Sequence, residues 1–264
     1  MRLNKYISHN SKYSRREADR LIEDGKVKIN NQIVKDFGIE VQKGDKVFVK
    51  GHLIKPKPKH EVTMVVFNKP KGSLVTKKDD RGRTTIYHLL PGKFRHFVPI
   101  GRLDFASEGL LLLTDNVYIA ELLMKSKLPR VYNIKIDKPF NDDMLKAMQE
   151  GLELDDATAG AHEKSEIKSM KFAPFLGVKV RSQSPKYTKL QVAINEGKNR
   201  ELRRFFAHFG ANVLDLKRVS YGPFELNNLP TGKTRYLSKK EYEMLHEFIK
   251  EEERKLNANS KAKE

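Results

Sequence analysis

The stretch from Lys50 to Lys59, Lys-Gly-His-Leu-Ile-Lys-Pro-Lys-Pro-Lys, limits the fold more than any other feature of this chain. Two prolines alternating with lysines remove backbone donors and keep charge in water, so the segment resists both helix and central strand and reads as a semi-rigid exposed linker. It divides the 264 residues into a small unit, residues 1–50, and a larger one, residues 61–250, with 51–60 between them. In the small unit Leu3, Tyr6 and Ile7 have helical spacing. Ser14, with Glu17 three residues later, forms a capping box that starts a second helix ending near Gly25. Val27 to Val34 alternates across an Asn30-Asn31 turn, and Asp45 to Val49 supplies another short strand.

The larger unit mixes strands with helices. Strands are expected over Thr63–Asn68, Phe97–Ile100, Gly109–Thr114, Val131–Asp137, Phe175–Val180, Lys189–Ile194 and Asn212–Ser220. Helices are expected over Asn116–Met124, Asp142–Glu150, Asn199–Phe209 and Lys239–Lys255. Because the strands outnumber the helices without regular alternation, the pattern is α+β with a mixed, largely antiparallel sheet. The charged tail, residues 251–264, reads as disordered. No apolar run approaches the ~18–20 residues of a membrane span, and the N-terminus lacks the apolar core of a secretory signal.

Charge narrows the class of partner. Lys and Arg number 52 against 34 Asp and Glu, a net charge of +18, and residues 1–60 hold 15 of the cations against 7 of the anions. Such an excess suits a polyanion, because each cation that neutralises a phosphate releases a condensed counterion. The chain has no cysteine, which excludes disulfides, thiol nucleophiles and Cys-ligated metal. It also has no phosphate loop, dinucleotide-binding glycine motif, nucleophile elbow or His-Glu-x-x-His motif. The eight histidines are dispersed. A cytoplasmic, monomeric protein needing neither metal nor cofactor is expected.

On the second helix Arg15, Arg16 and Arg20 cluster, with Arg16 and Arg20 on one face at i,i+4 spacing. Arg2, Lys5, Lys26 and Lys28 lie close in sequence. A charge run of this kind is ordinarily a solvated face, but here the cations outnumber Glu17, Asp19 and Glu23. The runs Arg2-Leu3-Asn4-Lys5-Tyr6-Ile7, Tyr13 to Ile22 and Gly25-Lys26-Val27 resemble the S4-type RNA-binding domain. The resemblance implies that these seven cations bind structured RNA.

In the larger unit, Asp104 sits between Arg102 and the run Leu110 to Leu113, whose composition is that of a buried strand. A charge there must be paired or used. Otherwise it is a turn aspartate, and Glu108 is a weaker candidate of the same kind. The segment Gly101-Arg102-Leu103-Asp104 followed by Ser107-Glu108-Gly109-Leu110 resembles the central motif of the ribosomal RNA pseudouridine synthases that carry an N-terminal S4-type domain. Asn68-Lys69-Pro70-Lys71-Gly72, Arg130-Val131-Tyr132-Asn133-Ile134 and Asn195 to Arg204 resemble that family's other motifs, in order, and Leu216 to Val219 with Gly222-Pro223-Phe224 continues the last.

The resemblance implies the following roles. Asp104 is the nucleophilic carboxylate, and Arg203 is its guanidinium partner, expected to favour the ionised form. Tyr132 packs on the target base, Leu202 supplies apolar packing beside it, and Arg102 occupies the space left by an extruded uridine. Lys69 and Lys71 bracket the RNA backbone. The implied substrate and partner is structured ribosomal RNA, with no membrane and no cofactor. Asp115-Asn116-Val117 and Glu201 depart from the family's common Asn-Asp-Gly and Gln. Two other classes differ from this reading: a non-catalytic RNA-binding or ribosome-assembly protein on the same scaffold, against which the intact Asp104, Tyr132 and Arg203 argue, and a DNA-binding or glycosidase-like enzyme with Glu108 as a second carboxylate.

Overall fold

The computed structural model describes residues 1–56 and 61–261. The Lys57 to His60 part of the expected linker and the last three residues lie outside the described residues. The chain opens with α1 (Leu3–Asn10) and α2 (Arg15–Glu23). The expected capping box is present: the Ser14 hydroxyl accepts from Glu17 N, and Glu17 Oε2 accepts from Ser14 N. Four short strands follow, β1 (Val27–Ile29), β2 (Gln32–Ile33), β3 (Val47–Val49) and β4 (His52–Leu53), in the sheet order β2-β1-β3-β4. Leu3, Ile7, Ala18, Ile22, Val27 and Val47 form a core of their own.

One expectation is corrected here. The linker does not begin at residue 51, because His52 and Leu53 pair with β3. Lys50 and Gly51 both have positive φ (50° and 82°), the backbone of a two-residue hairpin turn. The turn returns the chain to the sheet, and Ile54 packs on its core.

The larger unit runs through β5 (Met64–Lys69), α3 (Ile86–Leu89), β6 (Val98–Pro99), β7 (Glu108–Thr114), α4 (Val117–Lys125), β8 (Arg130–Ile136) and α5 (Asp142–Glu150). It continues through β9 (Leu152–Leu154), β10 (Met170–Phe172), β11 (Gly177–Ser184), β12 (Tyr187–Ile194), α6 (Glu201–His208), β13 (Val213–Tyr221), β14 (Phe224–Glu225), β15 (Thr234–Tyr236) and α7 (Lys239–Lys261). Among the described residues nine strands join one sheet, ordered β11-β12-β8-β13-β7-β5-β15 with β14 and β6 at its margins. The β7–β13 pair is parallel and its neighbours are antiparallel.

The four-leucine run of β7 is wholly buried because the sheet is covered on both faces there. Leu111 and Leu113 join one core with Met144 of α5 and Phe205 and Phe206 of α6. Leu110 and Leu112 join a second core with Ile119 and Leu123 of α4 and Leu245 and Ile249 of α7. An alternating strand buries one face, whereas a continuous apolar run needs cover on both. The tail also departs from expectation, since α7 continues through residue 261 instead of ending in disorder from Glu251. Its Glu, Lys and Arg residues are strong helix formers. Lys255 pairs with Glu252 at i,i+3, and Glu253 accepts from the Tyr118 hydroxyl of α4.

Candidate active site

Asp104 lies in the loop between β6 and β7, with its side chain about one-third exposed. Two guanidinium groups from the start of α6 approach one of its oxygens. Arg203 Nε is 3.6 Å and Arg200 Nη1 is 3.5 Å from Asp104 Oδ2. Arg203 is otherwise occupied with backbone: it donates to Val213 O at 3.0 Å and Ala106 O at 3.2 Å, and to the Ser107 hydroxyl at 3.3 Å. Its Nε is buried and makes no hydrogen bond, so it faces the carboxylate with its donor unspent. Burial and the neighbouring Arg200 pull the Arg203 guanidinium below its usual range, and Asp104 opposes them.

The sequence motifs alone single out Arg203 and not Arg200. The signal that finds it is its spacing: residues three apart at a helix start share a face, so Arg200 and Arg203 reach the same target.

Lys69 requires a correction. It is fully buried and does not bracket RNA. Its ammonium donates to Pro70 O at 3.0 Å, Asp104 O at 3.1 Å and Ser107 O at 2.8 Å. An ammonium has three donors and no acceptor, so three converging carbonyls satisfy it and the lysine pins both ends of the Asp104 turn. Burial pulls it down to about 8, against Asp104 and Glu108, which pull it up. Since the folded value lies below the ordinary 10.5, the unfolded chain holds the extra proton between those two values. Stability from this group therefore rises with pH across the window. Relative to Lys69→Met, the wild-type unfolding free energy is expected to rise by up to about 3 kcal/mol from pH 8 to 10.5; a difference that stays flat in urea titrations would contradict the assignment.

The other implied residues are placed by register. Lys69 stands opposite Gly109, Gly109 opposite Arg218, Arg218 opposite Tyr132 and Tyr132 opposite Val192, a single row across five strands. Tyr132 is buried in the same apolar core as Leu103, which precedes Asp104, and Leu202, which precedes Arg203. Tyr132 and Leu202 thus share a core with the residue before Asp104, and Arg203 meets the Asp104 carboxylate itself. Arg102 is exposed on the same loop. Lys71 is half-exposed and ion-paired with Asp215 of β13. Glu108 begins β7 opposite Lys217. Among the described residues no group of three or more His, Cys, Asp or Glu side chains is arranged to hold a metal ion.

Comparisons with known proteins identify the family. The family model described as RNA pseudouridylate synthase matches residues 63–208, and the S4 domain model matches residues 1–47. The chain belongs to the RNA pseudouridine synthase family. It is 51% identical over 249 residues to an uncharacterized RNA pseudouridine synthase of Helicobacter pylori strain J99, covering 94% of this chain and 95% of that protein. It is 32% identical over 247 residues to ribosomal large subunit pseudouridine synthase B of Bacillus subtilis, covering 92% and 95%. A crystal structure of a pseudouridylate synthase aligns with a TM-score of 0.59 at 25% identity over 93% of this chain and 99% of the other.

Within this pseudouridine synthase the two departures from the common motif make contacts inside the protein. Asp115 accepts from Thr63 N at 2.9 Å, and Asn116 caps α4 by accepting from Ile119 N. Glu201 is buried, and its carboxylate accepts from Lys198 N at 2.9 Å at the start of α6. Burial raises its carboxyl above the usual range. In the S4 domain Arg2, Arg15, Arg16, Arg20, Lys26 and Lys28 are exposed. Lys5 and Arg15 are both engaged by Glu121 of α4, each at 2.7 Å, and His9 lies 3.2 Å from the same carboxylate. The synthase domain thus presents an anion to two of the cations assigned to RNA.

Proposed function

We propose that this synthase converts one uridine, or very few, of ribosomal RNA to pseudouridine, with Asp104 as nucleophile. The observation that carries the reading is Asp104 itself: a solvent-reachable carboxylate with two guanidinium groups at one oxygen, beside a core that contains Tyr132 and Leu202. In the net reaction the C1′–N1 and C5–H bonds of the uridine break, and the C1′–C5 and N1–H bonds form. Atoms and electrons balance without an oxidant, reductant or cofactor. A carboxylate serves this exchange by attack on the sugar or the base, or by assisting a glycal intermediate, as carboxylates do in glycoside chemistry. Tyr132 offers an aromatic face to the unstacked pyrimidine. Extruding that base costs a few kcal/mol, and Arg102 fills the gap it leaves.

The S4 domain grips structured RNA beside the site through Arg2, Lys5, Arg15, Arg16, Arg20, Lys26 and Lys28. Because Glu121 occupies Lys5 and Arg15, phosphate must displace it. Glu121→Gln is expected to tighten RNA binding several-fold at low salt, because Lys5 and Arg15 then reach phosphate without first breaking an ion pair. An unchanged affinity in filter-binding titrations would mean that those cations do not meet RNA.

The reading is tested by incubating the purified full chain with small- and large-subunit ribosomal RNA transcripts made with [5-³H]uridine. Tritium release from one of them is the expected result. No release from either transcript or from assembling subunits would overturn it.

A further inference from the structure

Arg200 precedes α6 in the left-handed region of backbone space, at φ 51° and ψ 30°. Few residues other than glycine adopt that conformation, and it persists where surrounding contacts enforce it. Here the enforcing contact is the guanidinium, which has two attachments. Its Nε donates to Gly160 O at 2.7 Å, and its Nη1 stands 3.5 Å from Asp104 Oδ2. Gly160 lies in the loop between β9 and β10, and that loop is seated on α6. Arg204, fully buried, donates to Ala157 O, to Ile167 O at 3.1 Å and to the Ser165 hydroxyl at 2.7 Å. A Cβ on Gly160 would fall 2.5 Å from Arg203 O, so the loop backbone lies directly against the turn that carries Arg203.

We propose that Arg200 is a positioning residue for Asp104, and that the β9–β10 loop is the brace that holds it there. The inference rests on the reading of Asp104 as nucleophile. Arg203 approaches the carboxylate through Nε alone, while its other nitrogens hold backbone and a hydroxyl. One contact leaves a carboxylate free to turn about its Cβ–Cγ bond. A second cation at the same oxygen restricts that rotation, and the carbonyl of Gly160 sets the direction from which the cation comes. Misplacing a reacting group by about 1 Å costs roughly 100-fold in rate, so a residue with this role acts on kcat. A mere surface ion pair would contribute little to stability and nothing to kcat.

The test uses the full chain, the tritium-release assay and RNA binding measured in parallel. Arg200→Gln is expected to lower kcat by about 10- to 100-fold, with KM and RNA affinity within about threefold of wild type. Arg200→Lys keeps the charge but cannot reach Gly160 O and Asp104 together, and its kcat is expected to fall between the two. A folded Arg200→Gln protein with kcat within threefold of wild type would overturn the proposal, as would a loss confined to KM. If Arg200→Gln does not fold, Arg200→Lys decides: a lowered kcat at native Tm supports the brace, and wild-type kcat overturns it. Asp104→Asn measured alongside separates the two levels. An active Asp104→Asn protein sinks the nucleophile reading, whereas an inactive one beside a fully active Arg200→Gln sinks only this inference.

Discussion

Asp104→Asn is expected to lower pseudouridine formation by at least about 10⁴-fold, the scale of loss when a nucleophile is removed, while RNA affinity stays within about twofold. The substitution keeps the size and planarity of the side chain and removes its charge. The turn around it does not depend on that charge, because Lys69 donates to the backbone carbonyls of Pro70, Asp104 and Ser107 rather than to the carboxylate. Arg203 likewise keeps its bonds to Val213, Ala106 and Ser107. The scaffold of the site therefore survives in the variant. Binding survives because the S4-domain cations lie on other elements. The measurement is tritium release together with filter binding on one preparation. Full activity in the variant would remove Asp104 from the chemistry, and a parallel loss of binding would recast it as a structural residue.

The second large effect falls on stability. Gly109 starts the buried part of β7 with φ +102°, and a Cβ added there would meet Arg218 O at 2.2 Å and Arg218 N at 2.8 Å. Those are backbone atoms of the parallel neighbour, which cannot swing aside as a flexible side chain would. Gly109→Ala must therefore force β13 away from β7 or strain both strands. The backbone conformation and the overpacking together cost about 3–5 kcal/mol, lowering Tm by roughly 10 °C. Because Gly109, Arg218 and Tyr132 stand in one row, the displacement also moves Tyr132 relative to the Asp104 loop, and activity should fall at temperatures where the variant is still folded. A Tm within 2 °C of wild type would contradict the close approach of the two strands.

Local chemistry made several elements legible from the residues alone. Ser14 and Glu17 carry a complete cap in four residues, and Asn30-Asn31 supplies the positive φ of a hairpin turn at both positions. Leu110 to Leu113 announce a strand covered on both faces. The ordered motifs led to Asp104 and Arg203, which the fold brings within 3.6 Å across about a hundred residues of chain. What escaped depends on partners distant in sequence. Lys69 looks like a surface cation in a Lys-Pro-Lys run, and only the fold converges three carbonyls on it. Arg200 acquires a role through Gly160, forty residues away and in a loop without a periodic pattern. Glu121 sits on an apolar helix and shows no sign of pairing with Lys5 and Arg15, more than a hundred residues upstream. The strands β9 and β10 are three residues each, too short for alternation to reveal. The end of α7 differs from the expected disorder because charge density and helix propensity point opposite ways there, and intrahelical pairing favours the helix.

Formation of pseudouridine in ribosomal RNA through Asp104 is tested by mapping pseudouridines as carbodiimide-dependent primer-extension stops in ribosomal RNA from cells with the protein, cells without it, and cells carrying only Asp104→Asn. One stop, or very few, is expected with the wild-type protein and none of these in the other two. Identical stops in all three would rule out this role for the protein and for Asp104.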